Sequence, residues 1–132
     1  MMKSSQVSNA TIGGVILAAG KSQRMGPKNK LLAEVNGLPM IRQITCVMLE
    51  GGLSDLIVVT GHEHKKVAAA LADLPVRCLY NADYSSGQAT SVACGVRYHK
   101  ARLHMAVLIA LGDMPRVTSD LIATLLRSHV GL

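Results

Sequence analysis

The residues best suited to chemistry gather in three places. Residues 15–30 read VILAAGKSQRMGPKNK: an apolar run, a glycine, then four cations (Lys21, Arg24, Lys28 and Lys30) with no acid among them. Gly20 allows a sharp backbone turn without a Cβ penalty. A cationic loop rich in backbone N–H groups at the carboxyl end of a strand suits a polyphosphate; a solvated basic loop after a core strand is the alternative. The second place is Asp113, which follows the apolar run MAVLIAL and is the only acid between Asp83 and Asp120. A hard carboxylate facing a cationic loop suits Mg²⁺ carrying nucleotide phosphates, whereas an aspartate filling a turn before Pro115 would have no such role. The third is residues 81–91, NADYSSGQATS. There Ser86, Gln88, Thr90 and Ser91 offer hydrogen bonds for a base or ribose, and Gly87 permits close backbone approach. An ordinary capped helix entrance would have the same composition.

The common phosphate and hydrolase motifs are absent. Gly20 and Gly26 are separated by five residues and followed by Pro27, which excludes a P-loop, and no G-x-G-x-x-G occurs. His62-Glu63 is followed by Lys66 where a zinc-protease helix needs histidine. There is no G-x-S-x-G elbow. His62 and His64, two residues apart, point to different sides of any helix and read as solvated.

To bring the three places together, the chain must alternate strands and helices. Residues 15–19, 56–60, 76–80 and 105–111 are apolar runs of strand length. Helical spacing of apolar residues marks segments near 40–50, 63–72, from 86 onward and 120–128, the last capped by Thr118 or Ser119. Strands with continuous rather than alternating hydrophobicity are covered on both faces. With right-handed crossovers, the expected fold is α/β: a three-layer α/β/α sandwich with a mostly parallel sheet. Ligands of such sheets bind outside the carboxyl ends of the strands, where all three polar segments lie.

Composition narrows the classes. The 132 residues suffice for one domain spanning 1–132, with residues 1–12 expected to be flexible. Hydrophobic residues make up 49% but Phe and Trp are absent, so Val, Ile, Leu, Ala and seven Met must fill the core. The net charge of +6 favours anionic ligands. Nucleic acid is disfavoured, because there is no long Lys/Arg run and only three tyrosines for base stacking. Cys46, Cys78 and Cys94 lack partners at metal-ligand spacing and read as reduced thiols. No signal-peptide core and no membrane-spanning run is present, so a cytoplasmic protein with no membrane partner is expected.

Taken together, the loops resemble a known family. Leu17-Ala18-Ala19-Gly20-Lys21-Ser22-Gln23-Arg24-Met25-Gly26, with Lys30 beyond, resembles the signature L-A-A-G-x-S-x-R-M-G of the MobA-like nucleotidyltransferases. Asn81 with Gly87 and Ser91, and Asp113-Met114-Pro115, resemble that family's second and third motifs, in the same order. The resemblance implies a Rossmann-like, glycosyltransferase-A type of fold. The double alanine at Ala18-Ala19 looks like the molybdenum cofactor cytidylyltransferases, implying transfer of CMP from CTP to the phosphate of molybdopterin.

By the same resemblance, Gly20, Lys21 and Ser22 approach the triphosphate, and Leu17, Ala18, Ala19 and Gly26 are nucleotide-binding residues with them. Arg24 and Lys30 neutralise charge on the α-phosphate and pyrophosphate, Asp113 ligates Mg²⁺, and Gly87 and Ser91 line the base and ribose pocket. A catalytically silent nucleotide-binding module, and a transferase with a sugar-phosphate or alcohol-phosphate acceptor, remain open. Family members continue with further strands beyond the last helix, which supply the acceptor pocket. The fourth strand here is therefore expected to present an edge for a second copy or a partner subunit. The reading requires Lys30 and Asp113 to share one cleft.

Overall fold

The computed structural model describes residues 12–20, 30–114 and 116–131. Strand β1 (Ile12–Ala18) is buried along its whole length. It begins at Ile12, inside the segment expected to be flexible. A 3-10 turn at Lys30–Leu32 and a small antiparallel hairpin of β2 (Glu34–Val35) and β3 (Leu38–Pro39) lead into helix α1 (Met40–Glu50). The hairpin turns at Asn36-Gly37, both at positive φ (57° and 85°), the backbone that Asn-Gly pairs supply in tight hairpins.

Strand β4 (Leu56–Thr60), helix α2 (His64–Ala70) and strand β5 (Arg77–Tyr80) follow. Helix α2 starts one residue later than its apolar spacing suggests, because Glu63 is left-handed at φ 54°. A 3-10 turn at Tyr84–Ser86 occupies the expected start of the next helix and delays α3 to Gln88–Ala101. Strand β6 (Ala106–Leu111) and helix α4 (Ser119–Gly131) complete the order. Leu121 N–H donates to Thr118 Oγ1 at 3.1 Å, the cap foreseen at that helix start.

The main sheet is parallel in the order β5-β4-β1-β6. Alternate residues of β1 and β4 feed two cores. On one face Ile16 and Val58 pack with Ile41, Ile44 and Met48 of α1, Val67 of α2, and Ile122 and Leu126 of α4. On the other, Val15, Leu17, Ile57 and Val59 meet Val92, Cys94 and Tyr98 of α3. This is the three-layer α/β/α sandwich expected from the sequence. Among the described residues helix α3 alone covers the second face, and Ile109 and Leu111 of the edge strand β6 are 39% and 40% exposed. No helix among the described residues is long and apolar enough to cross a membrane.

A polar clamp joins α1 to the end of α2. The Arg42 guanidinium donates to the Ala70 carbonyl at 3.0 Å and to both Asp73 carboxylate oxygens at 2.7 and 2.9 Å. Those hydrogen bonds hold the Asp73 carboxyl well below the usual range, at about 2. Its contribution to stability is therefore present above the unfolded carboxyl pKa near ~4 and is lost as pH falls through about 2. Asp73→Asn is expected to lower Tm slightly at pH 7, because the pair is exposed and screened, and to match the parent protein below pH 2. A Tm difference independent of pH would contradict this.

Candidate active site

The chain winds from β1 through β4 to β5 on one side, then crosses back to place β6 against the other side of β1. Open α/β sheets bind ligands at the crevice where the winding reverses. Here that crevice lies at the carboxyl ends of β1 and β6, and a cavity of about 850 Å³ opens there. Leu17, Ala18, Ala19 and Gly20 line it from β1, and Leu111, Gly112 and Asp113 from β6. Lys30 and Leu31 contribute from the first 3-10 turn, and Tyr84, Ser85, Gly87, Gln88 and Ser91 from the loop after β5.

Lys30 and Asp113 do share this cleft: Lys30 Nζ lies 3.9 Å from Asp113 Oδ2, with the side chains 35% and 43% exposed. The separation is beyond a hydrogen bond, and a loose, half-exposed pair of this kind contributes only about 0–1 kcal/mol to stability. Both groups are thus available to a third, charged species. Their placement is structural in origin. The Gly112 N–H donates to the Leu17 carbonyl at 2.9 Å and ties the two strand ends. Leu31 is 8% exposed, and a Cβ on Gly112 would fall 2.9 Å from its Cδ2. A buried leucine seated on a glycine therefore fixes the turn that carries Lys30. Lys21, Ser22, Arg24 and Gly26 lie outside the described residues, as does Pro115.

In the loop after β5, the side-chain amide of Asn81 (8% exposed) donates to Thr90 Oγ1 and Ser91 Oγ, both at 2.9 Å. Its Oδ1 accepts from the Asp83 N–H at 3.0 Å. The Thr90 hydroxyl lies 2.7 Å from the Gly87 carbonyl. These bonds hold Gly87 at φ 120° with no atom within 4 Å of where a Cβ would stand, so bare backbone faces the cavity. Thr90 is thus engaged within the loop, and Ser86 does not line the cavity. Ser91 lines it but is 2% exposed and bonded to Asn81.

Tyr84, Ser85, Leu31, Leu111 and Gly112 were not singled out from sequence. Tyr84 is placed by a contact between distant segments: its ring packs where Gly61, just after β4, lacks a side chain, 2.5 Å from an ideal Cβ. His62 and His64 are not simply solvated. Their rings lie 6.5 Å from Tyr84 and 4.2 Å from Tyr80, half-buried beside the site loop. The three cysteines are free and partly buried, and burial raises the Cys78 thiol pKa, which makes that thiol less reactive.

The donor chemistry fits magnesium. Mg²⁺ is generally held by one or two carboxylates together with substrate phosphates rather than by an all-protein cage. Asp113 offers one half-exposed carboxylate at the mouth of the cleft, beside a lysine suited to the same phosphates.

Comparison with known proteins places this site in context. The family model of the MobA-like NTP transferase domain matches residues 14–131. Nicotine blue oxidoreductase of Paenarthrobacter nicotinovorans is 32% identical over 118 residues, which is 89% of this chain and 57% of that relative. A nucleotidyl transferase from Methanothermobacter thermautotroptrophicus superposes with a TM-score of 0.76 at 29% identity, over 89% of this chain and 57% of its own. A Mycobacterium tuberculosis H37Rv protein solved in complex with manganese superposes with a TM-score of 0.68 at 25% identity, over 92% of this chain and 60% of its own. The chain thus spans little more than half the length of these proteins.

Proposed function

The chain belongs to the MobA-like NTP transferase family, and from that premise we propose that it transfers CMP from CTP to a molybdopterin-type phosphate, releasing pyrophosphate. The observation that carries the reading is the single cavity at the β1/β6 crevice where Gly20, Lys30, Gly87 and Asp113 meet. The choice of CTP rests on Ala18-Ala19, which resembles the cytidylyltransferases.

Family membership alone does not decide the reaction, since one relative bears the name of an oxidoreductase and function resides in sites rather than folds. A lysine and a carboxylate 3.9 Å apart at a glycine-bearing strand end favour phosphate chemistry. In that chemistry an acceptor phosphate oxygen attacks the α-phosphorus in line. The new P–O bond forms as the bond to the bridging oxygen of the β-phosphate breaks, and pyrophosphate departs.

No protein nucleophile is needed, because the acceptor is already an anion. Gly20 lets the loop backbone approach the triphosphate, and Lys30 offsets the charge that grows on the departing pyrophosphate. Gly87 admits the ribose against bare backbone. Asp113 would hold Mg²⁺, which when bound supplies charge neutralisation and orientation of the triphosphate. Lys21, Ser22 and Arg24 are proposed to complete the phosphate contacts, with Gly26 shaping their loop. Ser91, bonded to Asn81, is proposed to back the ribose pocket.

The test is pyrophosphate release from CTP, Mg²⁺ and molybdopterin, with GTP, ATP and a phosphorylated alcohol as alternative substrates and NADPH as a binding control. Release that requires CTP, Mg²⁺ and molybdopterin supports the reading. CTP binding without release identifies a silent nucleotide module. Release only with the phosphorylated alcohol changes the acceptor, and stabilisation by NADPH alone overturns nucleotidyl transfer. Lys30→Ala is expected to lower kcat/KM by about 10- to 100-fold with Tm almost unchanged, because its pair with Asp113 is weak while its charge acts on the transition state. An unchanged kcat/KM would remove Lys30 from the mechanism.

A further inference from the structure

At the opposite end of the sheet a second polar cluster has no part in the reaction above. Asp55 immediately precedes β4, His99 lies in the last turn of α3, and His104 follows that helix before β6. One ligand-capable atom from each of the three lies within 4.8 Å of the others. His99 is wholly buried, and its Nε2 lies 2.8 Å from the Gly14 carbonyl. A carbonyl only accepts, so Nε2 carries the proton and Nδ1 presents a lone pair. That Nδ1 has no hydrogen-bond partner and lies 4.0 Å from Asp55 Oδ2. The buried ring lone pair thus faces a carboxylate oxygen of the 22% exposed Asp55 with no donor between them, and a buried acceptor left this way costs free energy unless a proton or a cation joins it.

We propose that Asp55, His99 and His104 form a binding site for a transition-metal dication of the zinc class, separate from the nucleotide cleft. Two imidazoles and one carboxylate are a borderline-soft N/O set, suited to zinc rather than to magnesium. The His104 Nε2 is already 2.6 Å from Asp55 Oδ2. A metal takes the place of the proton between them while that proton moves to the other ring nitrogen or to solvent. The Arg102 Nε is 2.9 Å from the same oxygen and its guanidinium lies 5.3 Å from the Tyr98 ring centre; being 53% exposed, the side chain can keep that ring contact or turn to solvent as the ion enters. A pocket bounded by Ser54, Ala101 and Arg102 reaches Asp55 and His104, so the ion has a route in from solvent.

Burial, the largest influence on His99, lowers its pKa and keeps the ring in the neutral form that ligates. The second shell is in place as well: metal-bound histidines generally donate their other N–H to a carbonyl or carboxylate, as His99 does to Gly14. The bound ion would clasp the start of β4 to the α3–β6 connection.

The experiment is Zn²⁺ titration of the chelator-treated protein by competition with a chromogenic chelator, with Co²⁺ as a spectroscopic probe. One equivalent of Zn²⁺ is expected to bind and raise Tm, and Co²⁺ to give d–d bands without thiolate charge-transfer absorption. Asp55→Asn, which keeps the side-chain shape, and His104→Ala should each weaken binding by at least about 10-fold. Circular dichroism of the metal-free variants checks that they fold, and if His104→Ala does not fold, Asp55→Asn decides. Asp113→Ala should leave Zn²⁺ affinity unchanged, which separates this site from the nucleotide cleft. Absence of stoichiometric binding, full affinity in folded Asp55→Asn, or a thiolate band from the cysteines would each overturn the proposal.

Discussion

Asp113→Ala is expected to lower CTP-dependent pyrophosphate release by at least about 100-fold while the protein stays folded. Removing a group that stabilises developing charge typically costs about 100- to 1,000-fold in rate, and Asp113 is the carboxylate at the mouth of the cleft. The same residue matters little to the fold. Its side chain is 43% exposed and its one described ion pair, to Lys30, is long at 3.9 Å, so the loss of stability should be no more than about 1 kcal/mol. Asp113→Asn separates charge from shape: it should be nearly as impaired as alanine, and added Mg²⁺ should restore little. Parallel measurements of Tm and of turnover across Mg²⁺ concentrations check both halves. Retained turnover in a folded Asp113→Ala protein would place the metal elsewhere.

The largest effect on stability is expected from Gly13→Ala, near the start of β1. A methyl group there would fall 2.2 Å from His99 Nδ1, 2.4 Å from Cγ and 2.5 Å from Cε1. The ring has no room to retreat, being fully buried and bonded to the Gly14 carbonyl. Overpacking costs about 1–3 kcal/mol, and pushing the imidazole off its carbonyl leaves buried polar groups unmade at about 1–3 kcal/mol more. The combined loss is a large share of the ~5–15 kcal/mol that holds a domain together. Urea unfolding measures it through the midpoint. A shift equivalent to less than ~0.5 kcal/mol would mean that the strand and helix separate more easily than this packing implies.

How legible the fold was follows from where each element draws its stability. Strands β1 and β4 were readable because burial on both faces forces unbroken apolar runs, and the helices because their apolar residues recur at helical spacing. The hairpin at 34–39 has a single local signal in the sequence, Asn36-Gly37. With only two residues in each strand it has no periodicity to detect. The start of α3 was misplaced because the 3-10 turn at Tyr84–Ser86 uses the same polar residues that would cap a helix.

The cleft itself was largely legible, since strand ends in a parallel sheet converge whatever the intervening sequence. What could not be read was how its parts are held. Asn81 binding across to Thr90 and Ser91, Leu31 seated on Gly112 and Tyr84 filling the hollow at Gly61 are contacts between distant segments. The Asp55–His99–His104 cluster is hidden for the same reason. Its members are spread over α3 and both strand entrances, with no motif spacing.

The pairing of β1 with β6 has a consequence for assembly of the protein. Lys30 and Asp113 reach the cleft from widely separated segments, and they meet only when β6 closes against β1. That contact spans the longest sequence separation in the sheet, so its closure carries the greatest entropic cost and tends to come late. On the function proposed above, β1, β4 and β5 would be in place before the protein acquired affinity for a triphosphate. A bound nucleotide would then stabilise the pairing of β6 with β1, and its binding would report that this long-range contact has closed.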